Sequence, residues 1–169
     1  MKKDPSAEVR AGLGPLTPRL WRYAMVLTGG QRADAEDLAQ AAALRALERS
    51  AQYQSGSKLD RWCFTILTSI WRNELRSRAV RRGAGTVPVE DAGLVAPDHR
   101  DVNILAREVL VLMTELPEAM RETLFLVYVE GYSYAEAAAQ LEIPVGTVMS
   151  RLANGRRKLN AALSEKTET

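Results

Sequence analysis

The sequence has little cysteine or histidine and no long apolar run, and each shortage argues against a class of protein. Among its 169 residues stand a single cysteine, Cys63, and a single histidine, His99. One cysteine cannot form an intramolecular disulfide, so the sequence favours a reducing compartment. No signal-peptide pattern follows Met1, and no apolar run approaches the length that crosses a bilayer. We therefore predict a cytoplasmic protein without membrane insertion.

The residue patterns that catalysis needs are also missing. We find no nucleophile with a matching base, no paired metal ligands and no glycine loop of the phosphate-binding kind. His99 has no second ligand or base beside it in the sequence. The sequence therefore predicts a protein that is not an enzyme, binds no metal or other cofactor and takes no small-molecule substrate.

Strand signals are equally scarce. No sustained alternation of β-branched residues occurs, whereas Ala, Leu, Glu and Arg dominate in runs with helical spacing. Since 46% of the residues are hydrophobic, the chain can bury one ordinary core or two small ones. The predicted fold class is all-α, with two small helical domains joined by a flexible linker and a helix-turn-helix in the C-terminal domain.

Charge is unevenly spread, although the formal net charge is only +2. Five arginines stand against Glu74 alone between residues 71 and 82, and no acid opposes the basic residues between 144 and 164. Such clusters matter more for partners than the net charge does. The sequence thus contains two separate basic patches.

The N-terminal domain is predicted over residues 13–82, after a tail over residues 1–12. Its first helix is predicted at Leu13–Thr28 and its second at Asp34–Ala51, where acids suit the helix N-terminus. A third, longer helix is predicted at Leu59–Arg78. Its apolar residues cover most of the circumference, and Trp62, Phe64 and Trp71 are predicted to be core. The remaining polar stripe consists of Arg61, Thr65, Thr68, Ser69, Arg72 and Arg76.

The predicted linker, residues 83–102, is rich in Gly and Pro and carries the acids Glu90, Asp91, Asp98 and Asp101. The C-terminal domain follows over 103–164, with a short tail over 165–169. Its first helix is predicted at Asn103–Glu115.

A helix-turn-helix is predicted near the C-terminus. A second helix begins at Leu116-Pro117 and ends at Gly131 in a left-handed cap. Ser133 and Glu136 then form a capping box for a short helix, which is predicted to bury Tyr134, Ala137, Ala138 and Leu141. Pro144 ends the turn before a last helix begins.

The last helix is predicted to be two-faced. Its packed face carries Val145, Val148, Leu152, Leu159 and Leu163. Its polar face carries Thr147, Ser150, Arg151, Asn154, Arg157 and Lys158, residue types that suit a helix in the major groove. The alternative is an ordinary solvated basic face, but the capped helix and tight turn favour DNA binding. Arg156 lies on the packed side and is expected to pair with Glu122 or Glu136.

These segments resemble a known family. The stretches SYAEAA (133–138) and IPVGTVMSRL (143–152) resemble the region-four helix-turn-helix of bacterial RNA polymerase sigma factors of the extracytoplasmic-function class. DAEDLAQ (34–40) resembles the polymerase-binding part of region two, and 62–82 its promoter-melting and recognition helix. The resemblance covers Leu13 to Leu163 and implies a factor that binds core RNA polymerase and promoter DNA under an anti-sigma factor.

The resemblance also implies roles for individual residues. Glu36, Asp37 and Gln40 correspond to positions that dock on the polymerase clamp helices, although they could simply be helix-end charge. The third-helix track that holds the minus-ten strand would be Lys58, Arg61, Thr65, Ser69, Arg72 and Arg76, and Tyr53 could cover a base. The minus-thirty-five element would meet Thr147, Met149, Ser150, Arg151, Asn154, Arg157 and Lys158. Glu142 replaces a frequent turn glycine, which is tolerable if that residue needs no positive φ.

Three alternatives stay open at this level. A stand-alone helix-turn-helix regulator that binds operators as a dimer would explain the C-terminal half, but it leaves the 34–82 block without a role. A sigma-like decoy that occupies an anti-sigma factor would need neither basic patch. The acidic linker is either a solvated tether or, as the resemblance suggests, a segment that enters the polymerase's RNA path.

Overall fold

We describe residues 4–83 and 111–167 of a computed structural model. All regular structure in these two ranges is helical, which confirms the predicted fold class. The chain divides into two compact units, Met1–Gly93 and Leu94–Thr169. Nearly all of the predicted linker, and the predicted 103–115 helix up to residue 110, lie outside the described residues. Within the described part, no helix is long and apolar enough to cross a membrane.

The first unit packs three helices around one core. They are α1 (Pro5–Leu27), α2 (Arg32–Glu48) and α3 (Leu59–Gly83), and a short 3-10 turn, Ser50–Gln52, follows α2. Leu20, Tyr23 and Leu27 of α1 are buried in the interior of this unit, as are Phe64 and Leu67 of α3. The Tyr23 and Phe64 rings lie 4.9 Å apart, and the Tyr23 hydroxyl shares a 2.9 Å hydrogen bond with Thr68.

Helix α1 begins at Pro5, so the predicted start at Leu13 was wrong. Asp4 caps this helix by accepting a 3.0 Å hydrogen bond from the Ser6 N–H, and Val9 is fully buried. Pro15 and Pro18 lie inside this helix, although proline is usually confined to the first turn. A predicted start at Leu13 placed Pro15 in the first turn, which explains the error. Residues 5–12 are therefore a packed part of the first unit.

The second unit begins, within the described residues, with a helical segment over 111–114. Helix α4 (Glu118–Leu124) follows Pro117 and continues into a π-helical turn, Phe125–Val129. Arg121 is buried, and burial lowers its pKa against the opposing charges of Glu118 and Glu122. Its guanidinium donates to the carbonyls of Leu116 and Thr114 at 2.9 and 3.2 Å, which joins α4 to the preceding segment.

The helix-turn-helix consists of α5 (Tyr134–Leu141) and α6 (Val145–Thr167). The predicted left-handed Gly131, with φ of 66°, and the capping box of Ser133 and Glu136 are both confirmed. Tyr134 was predicted to be buried but is 40% exposed, since the cap leaves the first residue of α5 at the surface. The condition under which Glu142 would replace a turn glycine without strain is not met, because Glu142 ends α5 in a left-handed cap with φ of 55°.

Close approach of α4 and α6 depends on Gly155. A Cβ atom at this position would lie 2.8 Å from Cδ1 of the buried Leu124, inside normal contact distance. Gly155 therefore allows α6 to pack closely against α4. The sequence offered no signal for this, because the contact joins residues far apart in the chain.

Replacing Gly155 by valine should lower the free energy of unfolding by about 1–3 kcal/mol, since the added methyl groups overpack the α4–α6 contact. Urea unfolding followed by circular dichroism measures the effect. Gly146→Ala is the matched control, because a Cβ there meets nothing within 4 Å. Equal stability of the two variants would contradict the close approach at Gly155.

Candidate nucleic-acid interfaces

The first candidate surface is a polar stripe along α3. Helical spacing puts its helical members, residues 61–76, within an arc of about 80° over roughly 22 Å. Lys58, Thr65, Ser69 and Arg76 are exposed, and Arg61 and Arg72 are half-buried. The structure thus brings the five helical residues together on one face, and Lys58 immediately precedes α3. We call these six residues the α3 stripe.

Burial of the opposite face fixes how α3 is turned. Phe64 and Trp71 are buried as predicted, together with Cys63, Ile66 and Leu67. Burial raises the pKa of the Cys63 thiol to about 11, so this cysteine carries no thiolate at neutral pH. Thr68 was predicted to belong to the polar stripe but is buried, because its hydroxyl bonds to Tyr23.

Tyr53, expected to cover a base, is only 2% exposed. Its ring packs 5.3 Å from that of Trp62, which is half-buried, and its hydroxyl donates to the Ser57 carbonyl at 2.5 Å. The expectation for Tyr53 is therefore wrong for this structure, since no ring face is open. The residue supports the loop ahead of α3 from the inside.

Two ion pairs hold α3 at opposite ends. Near its start, Asp60 accepts a 2.9 Å hydrogen bond from Arg19 of α1. Near its end, Arg78 reaches Asp34 of α2 at 3.0 Å and Glu74 at 2.8 Å. Sequence reasoning counted Arg78 among the residues of a basic patch and missed its engagement with α2. The patch at the end of α3 is accordingly less positive than its arginine count suggests.

The second candidate surface is the polar face of α6. Ser150, Arg157 and Lys158 are exposed, and Thr147, Arg151 and Asn154 are half-buried. Helical spacing puts these six within an arc of about 120° and places Met149 about 140° from its centre. Met149 is 54% exposed but lies apart from the others. We call the six residues without Met149 the α6 face.

The α6 face is set by what α6 buries. Val148 and Leu152 are almost completely buried against the rest of the unit, whereas Val145 of the predicted packed face is 42% exposed. The Asn154 side-chain oxygen accepts a hydrogen bond from Arg157, which orders two polar groups of this face. Arg156 donates to the Tyr128 hydroxyl at 2.6 Å rather than to Glu122 or Glu136 as expected.

A third surface lies on α2. Asp37 and Gln40 are exposed, and the half-buried Glu36 accepts a 2.8 Å hydrogen bond from Arg32. Leu44 and Leu47, which sequence reasoning did not select, continue the same face and are 58% and 40% exposed. Their spacing of four and seven residues from Gln40 is the signal that could have identified them. This α2 face combines acidic, amide and apolar groups.

Two family models match the chain, one described as Sigma-70 region 2 over residues 15–81 and one as Sigma-70, region 4 over residues 106–159. The ECF RNA polymerase sigma factor EcfG of Rhodopseudomonas palustris is 38% identical over 86% of this chain and 80% of its own length. The RNA polymerase sigma-H factor of Pseudomonas aeruginosa is 31% identical over 77% of this chain and 73% of its own.

A solved structure is also similar. It is the sigma factor RpoE of Bartonella quintana, determined in complex with the anti-sigma factor NepR. The match has a TM-score of 0.78 and 25% sequence identity, and it covers 93% of this chain and 97% of the other.

Asp60 should make the stability of the first unit depend on pH. Burial alone would raise the pKa of this carboxyl, but the Arg19 hydrogen bond, the Arg61 N–H and both positive charges hold it below 3.8. The ion pair therefore stabilises the fold above the unfolded-state pKa, and this contribution disappears as pH falls through the lower, folded-state pKa. We expect Asp60→Asn to cost about 0.5–1 kcal/mol at pH 7 and clearly less at pH 2.

Urea unfolding at the two pH values measures this difference. Asp37→Asn is the control, since that carboxyl is exposed on α2. A deficit of Asp60→Asn that persists undiminished in acid would contradict an ionic origin.

Proposed function

The chain belongs to the extracytoplasmic-function sigma factors of the sigma-70 family, and we propose that the α3 stripe and the α6 face read two separate promoter elements. As a sigma factor it binds core RNA polymerase, recognises promoter DNA and directs the initiation of transcription. The stand-alone dimeric regulator is not favoured, because it leaves the region-two match over residues 15–81 without a role.

The α3 stripe is proposed to hold the non-template strand of the minus-ten element. Arg61, Arg72 and Arg76 supply positive charge along roughly 22 Å of helix, which suits a strand whose phosphates follow the stripe. Thr65 and Ser69 are the hydrogen-bonding groups between them and are exposed. Unstacked bases would be held there while the duplex opens. The alignment of the five helical residues on one face of α3 supports this role.

The α6 face is proposed to lie in the major groove of the minus-thirty-five element. Arg151 and Asn154 lie near the middle of this face along the helix axis, and each can bind a base edge through two hydrogen bonds. Thr147, Arg157 and Lys158 are assigned to the phosphate backbone, where contacts position the helix. Met149 lies apart from the α6 face. It can contact the same bases only if the groove also encloses the side of α6 on which Met149 lies.

The α2 face is proposed to dock on the clamp helices of core polymerase. Glu36, Asp37 and Gln40 provide charged and amide groups at one end, and Leu44 and Leu47 provide exposed apolar surface at the other. Apolar anchors beside polar groups are common at the centre of protein interfaces. The exposure of two leucines on this face supports a protein partner there.

Regulation and location complete the proposal. We propose that an anti-sigma factor holds this protein inactive, as the RpoE structure was determined with the anti-sigma factor NepR. We further propose that the chain works in the cytoplasm, where RNA polymerase acts, and that it performs no covalent chemistry of its own. On this proposal, the chain contributes to initiation by binding DNA and polymerase.

The single observation that carries the proposal is that each unit presents one ordered basic helix face. The experiment is transcription in vitro by core polymerase reconstituted with this chain. The double variant Arg72→Ala, Arg76→Ala should reduce permanganate reactivity of the opened minus-ten strand at least about tenfold while binding of a duplex minus-thirty-five fragment is kept. Asp37→Ala should instead weaken co-elution with core polymerase. A polymerase-indifferent dimer that binds palindromic duplex would overturn the assignment.

Arg151 and Lys158 should respond differently to substitution. Arg151→Ala should cost about 1–3 kcal/mol of discrimination between matched and mismatched minus-thirty-five sequences, because a base contact is lost. Lys158→Ala should weaken binding to all sequences alike and lower the salt slope by about one, because a phosphate contact is lost. Fluorescence anisotropy over a salt series measures both. Equal loss of specificity in the two variants would contradict the assignment of these residues.

A further inference from the structure

The loop between α2 and α3 contains a tight turn at Gln54–Ser57. The Ser57 N–H donates to the Gln54 carbonyl at 3.0 Å, and Gly56 takes φ of 84°, a conformation that favours glycine. Gln54, Gly56, Ser57 and the following Lys58 are exposed. The turn therefore presents polar groups at the N-terminal end of the α3 stripe.

The side-chain carboxylate of Glu8, in α1, forms hydrogen bonds with this turn. One Glu8 oxygen accepts a 2.5 Å hydrogen bond from the Ser55 hydroxyl, and the other accepts the Gly56 N–H at 3.3 Å. The second oxygen also lies 3.4 Å from the Tyr53 hydroxyl, whose shorter bond is to the Ser57 carbonyl. Glu8 thus contacts Tyr53, Ser55 and Gly56 of the loop, across a sequence separation of 45 to 48 residues.

The position of Glu8 is itself fixed by packing. Val9, its neighbour, is fully buried in the first unit, and the Ser50 hydroxyl donates to Ser6 at 3.0 Å. On the far side of the loop, Tyr53 packs against Trp62 of α3. The turn is accordingly held between two helices rather than hanging free in solvent.

The Glu8 carboxylate contacts a loop that leads into the α3 stripe, for which DNA binding is proposed. Negative charge so close to a phosphate backbone opposes binding, by an amount that grows at low salt. Glu8 offsets this by directing its two oxygens at loop donors, and hydrogen bonds to a charged acceptor are stronger than neutral ones. Glu8 therefore contributes by holding the conformation of the turn and not by attracting DNA.

We propose that Glu8 is a positioning residue for promoter reading: it holds the Gln54–Ser57 turn in the shape that receives one unstacked base of the minus-ten strand. The inference rests on the proposed minus-ten role of the α3 stripe. With the turn held in advance, capture of the base does not have to order the loop, and the exposed groups of Gln54 and Ser57 meet one base edge in fixed geometry. Released, the turn would accept several bases almost equally.

The test uses holoenzyme assembled from core polymerase and full-length variants. Each is bound to single-stranded minus-ten oligonucleotides that carry all four bases in turn at each position. Glu8→Ala should lower the ratio of best to worst affinity about tenfold at one position only, the effect expected from losing hydrogen bonds to a charged group. Glu8→Gln, which keeps one acceptor oxygen, should show a smaller loss at that same position.

Three comparisons separate positioning from a general loss of structure. Arg10→Ala, an exposed change on the same helix, should keep the wild-type ratio. Ser55→Ala should lose part of the ratio, and adding it to Glu8→Ala should cause no further loss, because both remove one contact. Binding of the duplex minus-thirty-five fragment and of core polymerase should stay at the wild-type level in all these variants.

Two results would overturn the inference. One is a wild-type ratio in Glu8→Ala, and the other is an equal weakening for every base and position together with a lower melting temperature. The proposed function fails in a different way, since wild-type holoenzyme would then show no base preference on these oligonucleotides and Arg72→Ala, Arg76→Ala would bind them normally. The two failures are therefore distinguishable in the same assay.

Discussion

The function depends above all on the burial of one face of α3. Phe64 and Leu67 are fully enclosed and Trp71 nearly so, and burial of such side chains contributes about 1.5–3 kcal/mol each. Rotating α3 by even one residue would expose part of this set and bury charged groups, which is far more costly than any surface ion pair. Packing of the core thereby determines the direction of the α3 stripe, although no stripe residue takes part in the core.

Burial of one helix face also fixes the orientation of α6, but different residues are responsible. Here Val148 and Leu152 are buried, and Gly155 allows Leu124 to approach the helix closely. The left-handed Glu142 then sets the angle at which α6 leaves the turn, at a backbone cost of about 1–2 kcal/mol for a residue with a Cβ. In both units a polar helix face stays at the surface because the opposite face of the same helix is buried in the core.

Periodicity and capping signals predicted several features that are local in sequence, although they missed the start of α1 at Pro5. They predicted the two faces of α3, the capping box of Ser133 and the left-handed Gly131, since each depends on residues within one or two turns. They failed where distant residues decide: Tyr53 is buried by α3, Arg156 finds Tyr128 across 28 positions, and Glu8 holds a loop more than 40 positions away. Each polar face follows from local helical spacing, whereas the contacts that support it join residues far apart in the chain.

The ion pairs of α3 show how these supports share the work. Arg19–Asp60 and Arg78–Asp34 join α3 to α1 and α2, yet half-exposed pairs of this kind contribute only about 0–1 kcal/mol each. The buried core therefore supplies most of the stability. The ion pairs favour one position of α3 among the small displacements that core packing allows. Asp34 lies one turn before Asp37 of the α2 face, so the Arg78 pair ties that face to the end of the α3 stripe. The buried core thus determines how α2 and α3 are oriented, and the ion pairs adjust the positions of the α2 face and the α3 stripe within that arrangement.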